Sequence, residues 1–223
     1  AAALAANTTG APLLRQCAGT GNPNKTDSLY PLPYCGQPYK PPPGDFAACF
    51  EYVDEACCTG PQSAEFKKKA DLLRTLLYAC PACFDNVRAL LCVFTCHPSQ
   101  GLWAKGIEFG MHGGWCSIEK AELRVTSEYA QRLFDSCKDQ QASGSFTWRE
   151  QTPTPVEFLR FLGAQGEGVA VVIEPVIDDV RGLSLPTKDC ADECPCLTCR
   201  AACEQPPEYR LGSPLDCFVE GNL

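Results

Sequence analysis

The stretch CPACFDNVRALLCVFTC, residues 80–96, holds four cysteines within one apolar segment. Pro81 suits the first turn of a helix, where the missing backbone N–H has no partner to lose. Apolar side chains then recur every three or four residues, which is the period of a helix with one buried face. These side chains are Phe84, Val87, Leu90 and Phe94. The pattern predicts a helix and raises the question of what its four thiols do.

The helical period separates the four thiols into two pairs. Each residue turns by about 100°, so Cys80 and Cys83 lie within about 60° of each other, and Cys92 and Cys96 within about 40°. The two pairs face nearly opposite directions, which excludes a metal ion shared by all four. Cβ atoms three or four positions apart on a helix are about 5–6 Å apart, whereas a disulfide requires about 3.8 Å. Each thiol therefore needs a partner on another segment.

The cysteine content of the whole chain indicates an oxidising compartment. Cysteine accounts for 17 of the 223 residues, a density typical of disulfide frameworks. A chain of this length can bury a core without bridges, so we interpret the bridges as reinforcement for a harsh place such as a cell surface or a degradative lumen. Two N-glycosylation triplets, at Asn7 and Asn24, agree with passage through the secretory pathway.

The charge and the hydropathy of the chain limit the classes of partner that it can bind. The net charge of −8 argues against binding to nucleic acid or to an anionic membrane surface. No apolar run reaches the roughly 18 residues of a membrane span. The first residues, AAALAANTTG, lack the basic start and long apolar core of a signal peptide, and we interpret them as the mature side of a cleavage site. We expect a secreted protein or the lumenal part of a larger one.

Three further helices are predicted from apolar spacing and capping residues. One begins near Ser63, and another follows Thr126, whose hydroxyl suits an N-cap. In the segment TPVEFLRFLG, we expect Thr154 to cap a short helix, Pro155 to begin it and Gly163 to end it in a left-handed turn.

The remaining pattern indicates a short strand and an exposed tail. Val169–Ile173 is a β-branched run, and Pro175 confines its end to the edge of a sheet. We interpret the acidic pair Asp178 and Asp179 as a solvated turn after this strand rather than as a cation site. The sequence therefore predicts one α+β domain over residues 1–204, followed by a Pro-containing tail or the start of a linker over residues 205–223.

Three other kinds of site remain open at this point. The tail cysteines could wrap zinc if they were reduced, although an oxidising compartment favours disulfides. A nucleophilic cysteine would need a base, and we interpret the two histidines, His97 and His112, as surface or capping residues. In GLWAKGIEFGMHGGW, Trp103 and Trp115 could form an aromatic binding wall or could equally well anchor a loop.

The cysteine spacing resembles a known family. The run C-P-x-C-F-x-N-x-x-x-L-x-C-x-x-T-C-x-P-x-Q, residues 80–100, is similar to the N-terminal lumenal domain of the large Niemann-Pick type C sterol transporters. A double cysteine at residues 57 and 58 followed by Gln62, the segment IEPVI, and the order C-x-C-x-x-C-x-x-x-C at residues 194–203 agree with it. The resemblance covers about residues 17–204.

The related folate and riboflavin receptors share this outline, including the segment HPSQGLW at residues 97–103. They do not carry the cysteine order of residues 194–203 in this form. The resemblance to the sterol transporters is therefore the more specific of the two.

The resemblance implies a fold and a disulfide pairing. The fold is a helix-rich, folate-receptor-like α+β domain with a small mixed sheet, held by disulfides around a sterol pocket. The implied bridges are Cys17–Cys35, Cys49–Cys92, Cys58–Cys96, Cys80–Cys194, Cys83–Cys137, Cys190–Cys199 and Cys196–Cys203. Three cysteines remain, and we expect Cys57 to pair with either Cys116 or Cys217.

The resemblance also implies where a sterol would bind, with its 3-hydroxyl innermost. A buried hydroxyl needs a hydrogen-bond partner, and Gln62 matches the glutamine that the family uses. Tyr34 stands where the family has an asparagine, and Gln16 where it has an acidic residue. The residues that match apolar walls are Phe66, Leu91, Thr95, Val171 and Ile173. The residues that could gate the entrance are Phe158, Phe161 and Leu162.

The function implied by the resemblance is non-enzymatic and needs no cofactor or metal. The domain would take a sterol from a small soluble Niemann-Pick type C sterol carrier and pass it to the membrane part of a transporter, in an endosome, lysosome or vacuole. Three alternatives stay open: a binding module for folate or riboflavin, a disulfide scaffold without a ligand, and a reduced zinc protein.

The predicted framework can be tested by counting free thiols. Seven bridges leave three of the 17 cysteines outside the framework. We expect mass spectrometry after alkylation of the native protein to find no more than about three reactive thiols, because bridged sulfurs do not alkylate. A larger number would contradict the disulfide framework.

Overall fold

A computed structural model describes residues 49–58, 79–112, 115–143, 146–163 and 172–203, together with Cys17, Pro38, Lys40 and single residues between 63 and 77. For residues 109–112, 115–119 and 142–143 only the backbone is described. No helix in these parts of the chain is long and apolar enough to cross a membrane.

The described chain contains short helices and two small sheets. Helical backbone occurs between residues 63 and 75, which we name α1. The other helices are α2 (Pro81–Cys96), α3 (Ser127–Asp135), α4 (Trp148–Gln151), α5 (Pro155–Gly163), α6 (Cys190–Glu193) and α7 (Arg200–Cys203). The strands are β1 (Ala104–His112), β2 (Trp115–Val125), β3 (Gln141–Ser143), β4 (Phe146–Thr147) and β5 (Val172–Ile177). The architecture is the predicted α+β arrangement of helices with a small mixed sheet.

Helix α2 forms where the sequence predicts it, and side chains on most of its circumference are buried. Pro81 occupies its first turn after Cys80, and the chain leaves the helix in an extended conformation at His97. Gln100, which is fully buried, donates its side-chain amide to the carbonyls of Phe94 and Thr95. This contact satisfies carbonyls of the last turn, which have no partner within a helix, and accounts for the glutamine that closes the cysteine motif.

The four thiols of α2 each form a disulfide with a different segment, as the helix geometry requires. The pairs are Cys80–Cys194, Cys83–Cys137, Cys49–Cys92 and Cys58–Cys96. The tail adds Cys190–Cys199 and Cys196–Cys203. Six of the seven predicted bridges are therefore confirmed, and the zinc alternative is wrong because Cys194, Cys196, Cys199 and Cys203 are all bridged.

The seventh predicted bridge is wrong. Cys17 pairs with Cys57, at a Cα–Cα distance of 5.5 Å, rather than with Cys35. The Cys57 N–H donates to the Cys96 carbonyl at 2.9 Å, which holds the double cysteine against the end of α2. Since neighbouring side chains point in different directions, Cys58 reaches Cys96 while Cys57 turns away and meets Cys17. Cys57 is thus not the partner of Cys116 or Cys217.

The mixed sheet has the strand order β1-β2-β5. Strands β1 and β2 form a long antiparallel hairpin, and β5 lies parallel to β2 at the edge of the described sheet. Pro175 lies within this edge strand, where its missing N–H breaks no ladder bond. The strand starts at Val172 within the described residues and continues past Pro175, which the sequence had placed at its end; residues 169–171 lie outside the described parts.

The predicted capping residues act as expected, with one exception. The Thr126 hydroxyl accepts from the Tyr129 N–H, and Thr154 forms a reciprocal capping box with Glu157. Gly163 does not form the predicted left-handed turn, because it is the last residue of α5 and has no positive φ. A Cβ on Gly163 would lie 2.6 Å from the Cβ of Ile173, so the glycine allows α5 to approach β5 closely.

Buried side chains form two clusters, and two half-buried residues pack against both of them. The larger cluster joins α2 to the mixed sheet, α3, α5 and the tail, and the smaller joins α1 to the end of α2 around two disulfides. Tyr52 and Leu91 pack against both clusters. The core is thus continuous from α1 to α5.

A buried amide ties α2 to the tail. The Asn86 side chain donates to the Lys188 carbonyl and accepts from the Lys188 N–H, both at 2.9 Å. It therefore satisfies both backbone groups of Lys188. Only 4% of Asn86 is exposed. The Lys188 side chain lies at the surface, where it pairs with Asp85 and Glu193.

We expect Asn86→Ala to lower the free energy of unfolding by about 2–4 kcal/mol, because two buried backbone groups lose their partner. Chemical denaturation followed by circular dichroism measures it. Lys188→Met is the matched control, since it keeps the backbone pair and removes only exposed ion pairs, worth about 1 kcal/mol or less. Equal losses in the two variants would show that the side-chain ion pairs, not the amide, hold the tail.

Candidate functional site

Four of the expected ligand-binding residues lie outside the described parts of the chain. They are Gln16, Tyr34, Gln62 and Val171. The three polar residues among them are the expected partners of a sterol hydroxyl, and their roles stay predictions.

The structure brings the expected wall residues on α1 and α2 close together. Phe66 is 4% exposed and belongs to the smaller cluster, against which Leu91 also packs. Leu91 and Thr95 lie four positions apart on α2 and therefore on the same face. Thr95 is buried and Leu91 is half-buried. Phe66 and Leu91 therefore meet in one cluster, and Leu91 is the one of these three residues that keeps part of its side chain exposed.

The remaining expected residues lie on α5 and β5. Ile173 is buried against α5 at Gly163. Phe158 is 1% exposed, and its ring lies 5.8 Å from that of Phe134 and 5.7 Å from that of Trp148, so it is part of the core. Among the three residues that could gate an entrance, Phe161 and Leu162 are half-buried and have surface to offer a ligand.

Leu91, Phe161 and Leu162 are each half-buried, and each packs against the larger cluster. Their side chains are uncharged and, in the case of Phe161, aromatic. Phe161 contacts the buried Trp148, with ring centroids 4.9 Å apart. Trp148 was not among the residues expected from the sequence. The one feature that could have pointed to it is its position directly before a short polar segment. Half-buried, uncharged side chains of this kind suit a neutral, mainly apolar ligand better than a charged one.

The tryptophan-rich segment is a hairpin rather than a loop. Trp103 precedes β1 and its N–H donates to the Gln100 carbonyl. Its ring lies edge-on to His97, with centroids 4.9 Å apart, and His97 lies edge-on to Tyr52 at 5.3 Å. These described rings pack against one another, which agrees with the anchoring interpretation of Trp103. The Trp115 side chain lies outside the described parts.

His97 is held in its neutral form by its surroundings. Burial lowers its pKa from the ordinary 6.5 to about 4. Its Nδ1 accepts from the Ser99 N–H at 2.9 Å, so the proton resides on Nε2. Its own N–H donates to the Val93 carbonyl at the end of α2. His97 is therefore a capping residue, as predicted.

The acidic pair after β5 is engaged in a turn. Asp178 accepts from the N–H groups of Val180 and Arg181, and these bonds lower its pKa. Asp179 accepts from the N–H and the hydroxyl of Ser127, at the start of α3, with the same effect on its pKa. The turn interpretation is confirmed, and no group of three or more metal-ligating side chains occurs among the described residues.

Comparison with known proteins identifies the domain family. Residues 33–221 match the model of the Niemann-Pick C1 N terminus. The chain belongs to the Niemann-Pick C1 N-terminal family. The resemblance inferred from the cysteine spacing is thereby confirmed.

Several relatives of this Niemann-Pick C1 N-terminal domain are cholesterol transporters. The chain is 30% identical to the NPC intracellular cholesterol transporter 1 homolog 1 of Caenorhabditis elegans over 127 residues, which cover 50% of this chain and 9% of that protein. It is 24% identical to the human NPC1-like intracellular cholesterol transporter 1 over 176 residues, 67% of this chain and 13% of that protein. It is 24% identical to the NPC intracellular cholesterol transporter 1 of Sus scrofa over 220 residues, 82% of this chain and 17% of that protein.

The chain thus spans less than a fifth of the length of these relatives. The names of these relatives describe them as cholesterol transporters.

The neutral state of His97 predicts a pH dependence of stability. The unfolded chain takes up a proton near pH 6.5 but the folded domain only near pH 4, so the folded state loses stability as the pH falls between these values. We expect His97→Gln to reduce the stability lost between about pH 7.5 and pH 5 by about 1–2 kcal/mol. Urea denaturation at the two pH values measures this difference.

His112→Gln, measured in parallel, reports how much of the remaining pH dependence comes from the other histidine. An unchanged pH dependence in His97→Gln would mean that His97 protonates equally well in the folded and unfolded states.

Proposed function

We propose that this domain binds a sterol with its 3-hydroxyl innermost and passes it towards the membrane part of a sterol transporter. The observation that carries the proposal is the match of residues 33–221 to the Niemann-Pick C1 N-terminal family. The names of the relatives supply the ligand class, since they describe cholesterol transporters.

The described side chains support a neutral apolar ligand. Leu91 on α2 and Phe161 and Leu162 on α5 are half-buried apolar side chains, and Phe66 and Thr95 are buried. A sterol is a rigid hydrocarbon with a single hydroxyl, so its burial against such side chains gains about 25 cal/mol per Å² of apolar area. Disulfides at both ends of α2 hold this surface rigid.

The sterol hydroxyl requires a polar partner in the pocket. We assign this role to Gln62, and to Tyr34 and Gln16 by the same family resemblance. A glutamine amide both donates and accepts, and so does a phenol, which matches the two hydrogen-bonding capacities of a hydroxyl. Without such partners the buried hydroxyl would lose about 1–3 kcal/mol of binding free energy.

The route of the sterol follows from the same proposal. A small soluble Niemann-Pick type C sterol carrier would dock where Phe161 and Leu162 reach the surface, and the sterol would pass between the proteins without entering water. The receiving domain would lie in the lumen of an endosome, lysosome or vacuole, with its two N-glycosylation triplets modified. The low pKa of His97 suits such an acidic lumen, because its hydrogen bond to Ser99 persists down to about pH 4.

A titration against three ligands tests the proposal. Cholesterol, folate and riboflavin are added separately to the purified 223-residue protein, and binding is followed by competition with a radiolabelled sterol and by intrinsic fluorescence. We expect micromolar or tighter binding of the sterol only. Binding of a vitamin without binding of the sterol would replace the proposal by the vitamin-receptor alternative, and binding of none would favour a scaffold.

We predict that Gln62→Ala weakens sterol binding about 10-fold, which corresponds to the loss of about one hydrogen bond. The unfolding midpoint should stay unchanged, because the residue acts on the ligand. Gln141→Ala, at an exposed position on β3, is the matched control and should leave the affinity unaltered. Wild-type affinity in Gln62→Ala would exclude Gln62 from the site.

A further inference from the structure

Two neighbouring buried side chains present polar atoms without a hydrogen-bond partner. Gln140 is 1% exposed and Trp148 is 5% exposed. Both polar atoms of the Gln140 amide, Nε2 and Oε1, and the indole Nε1 of Trp148 are unpaired in the described structure. Since about nine in ten buried polar groups in proteins have a partner, three unpaired atoms on two such residues need an explanation.

The backbones of the two residues are hydrogen-bonded to each other. The backbone N–H of Trp148 donates to the Gln140 carbonyl at 3.0 Å. This bond lies at the end of the β3–β4 ladder, in which Gln141 lies opposite Thr147. Gln140 and Trp148 are therefore neighbours in space although they are eight positions apart along the chain.

The described ring contacts of Trp148 are aromatic. The Trp148 ring lies 5.7 Å from Phe158 and 4.9 Å from Phe161, centroid to centroid. The carboxylate of Asp139, next to Gln140 along the chain, is engaged elsewhere, because it pairs with Arg149 and accepts from the Arg200 N–H at 3.2 Å. An uncharged guest that both donates and accepts hydrogen bonds matches the amide and the indole N–H.

We propose that Gln140 and Trp148 form a hydration site beneath α5 that binds one or two water molecules. Water accepts from the Trp148 Nε1–H and donates to the Gln140 Oε1, and the Gln140 Nε2 donates to the same or a second water. Buried waters typically make about three hydrogen bonds to such otherwise unpaired groups.

The hydration site affects how α5 is supported. Phe161 on α5 rests on Trp148, and Trp148 makes its polar contact through water rather than through a fixed protein group. Water can reorient as the indole shifts, so Trp148 follows small movements of α5 and keeps its hydrogen bond.

Nuclear magnetic resonance of the indole groups tests this site. The 223-residue protein is labelled with ¹⁵N-tryptophan, and the indole signal of Trp148 is assigned by its loss in Trp148→Phe. We expect a nuclear Overhauser effect between the Trp148 indole proton and long-lived water, which weakens at least twofold in Gln140→Met. Gln141→Met, next along the chain and exposed, should leave the effect unchanged.

A high-resolution crystal structure of the wild-type protein keeps the test decisive if Gln140→Met fails to fold. Water density within about 3.2 Å of both Trp148 Nε1 and the Gln140 amide would support the site. A direct hydrogen bond from Trp148 Nε1 to Gln140 Oε1, with neither water density nor a water signal, would overturn it.

Discussion

The covalent attachment of α2 to four other segments is the constraint on which the rest of the domain depends. Its bridges to Cys49, Cys58, Cys137 and Cys194 join α2 to the segment before α1, to the double cysteine, to the end of α3 and to the tail. The linked residues are 38 to 114 positions apart along the chain. Closing such loops restricts the unfolded chain and stabilises the fold, in the entropic model by about 4 kcal/mol per bridge.

Non-covalent contacts refine the positions that the bridges allow. Asn86 aligns the tail backbone with α2, and Gln100 satisfies the carbonyls at the end of that helix. Between these two contacts, Leu91 packs against both the cluster that contains α1 residues and the core that carries α5. The proposed pocket therefore takes one wall from a helix held by four disulfides, whereas α5 is held by close packing of Gly163 on Ile173 and by the ion pair of Arg160 with Glu174 on β5.

Local features of the chain were predictable because their causes are local. The period of apolar residues predicted α2, and the hydroxyls of Thr126 and Thr154 predicted two helix starts, since a cap is made within three residues. The β1–β2 hairpin was missed because glycines interrupt the alternation of side chains in its first strand. The left-handed turn at Gly163 was wrong for a different reason, as close packing against Ile173, rather than backbone conformation, requires glycine there.

The sequence by itself determined that the thiols of α2 must bridge to other segments, because a helix sets the direction of each side chain. With the resemblance, it also determined the family and six of the bridges. Only the tertiary structure decided that Cys17 meets Cys57, that Phe158 belongs to the core while Phe161 and Leu162 reach the surface, and that the backbone of Trp148 bonds to that of Gln140. These outcomes depend on how separate elements pack, and spacing along one segment carries no information about that packing.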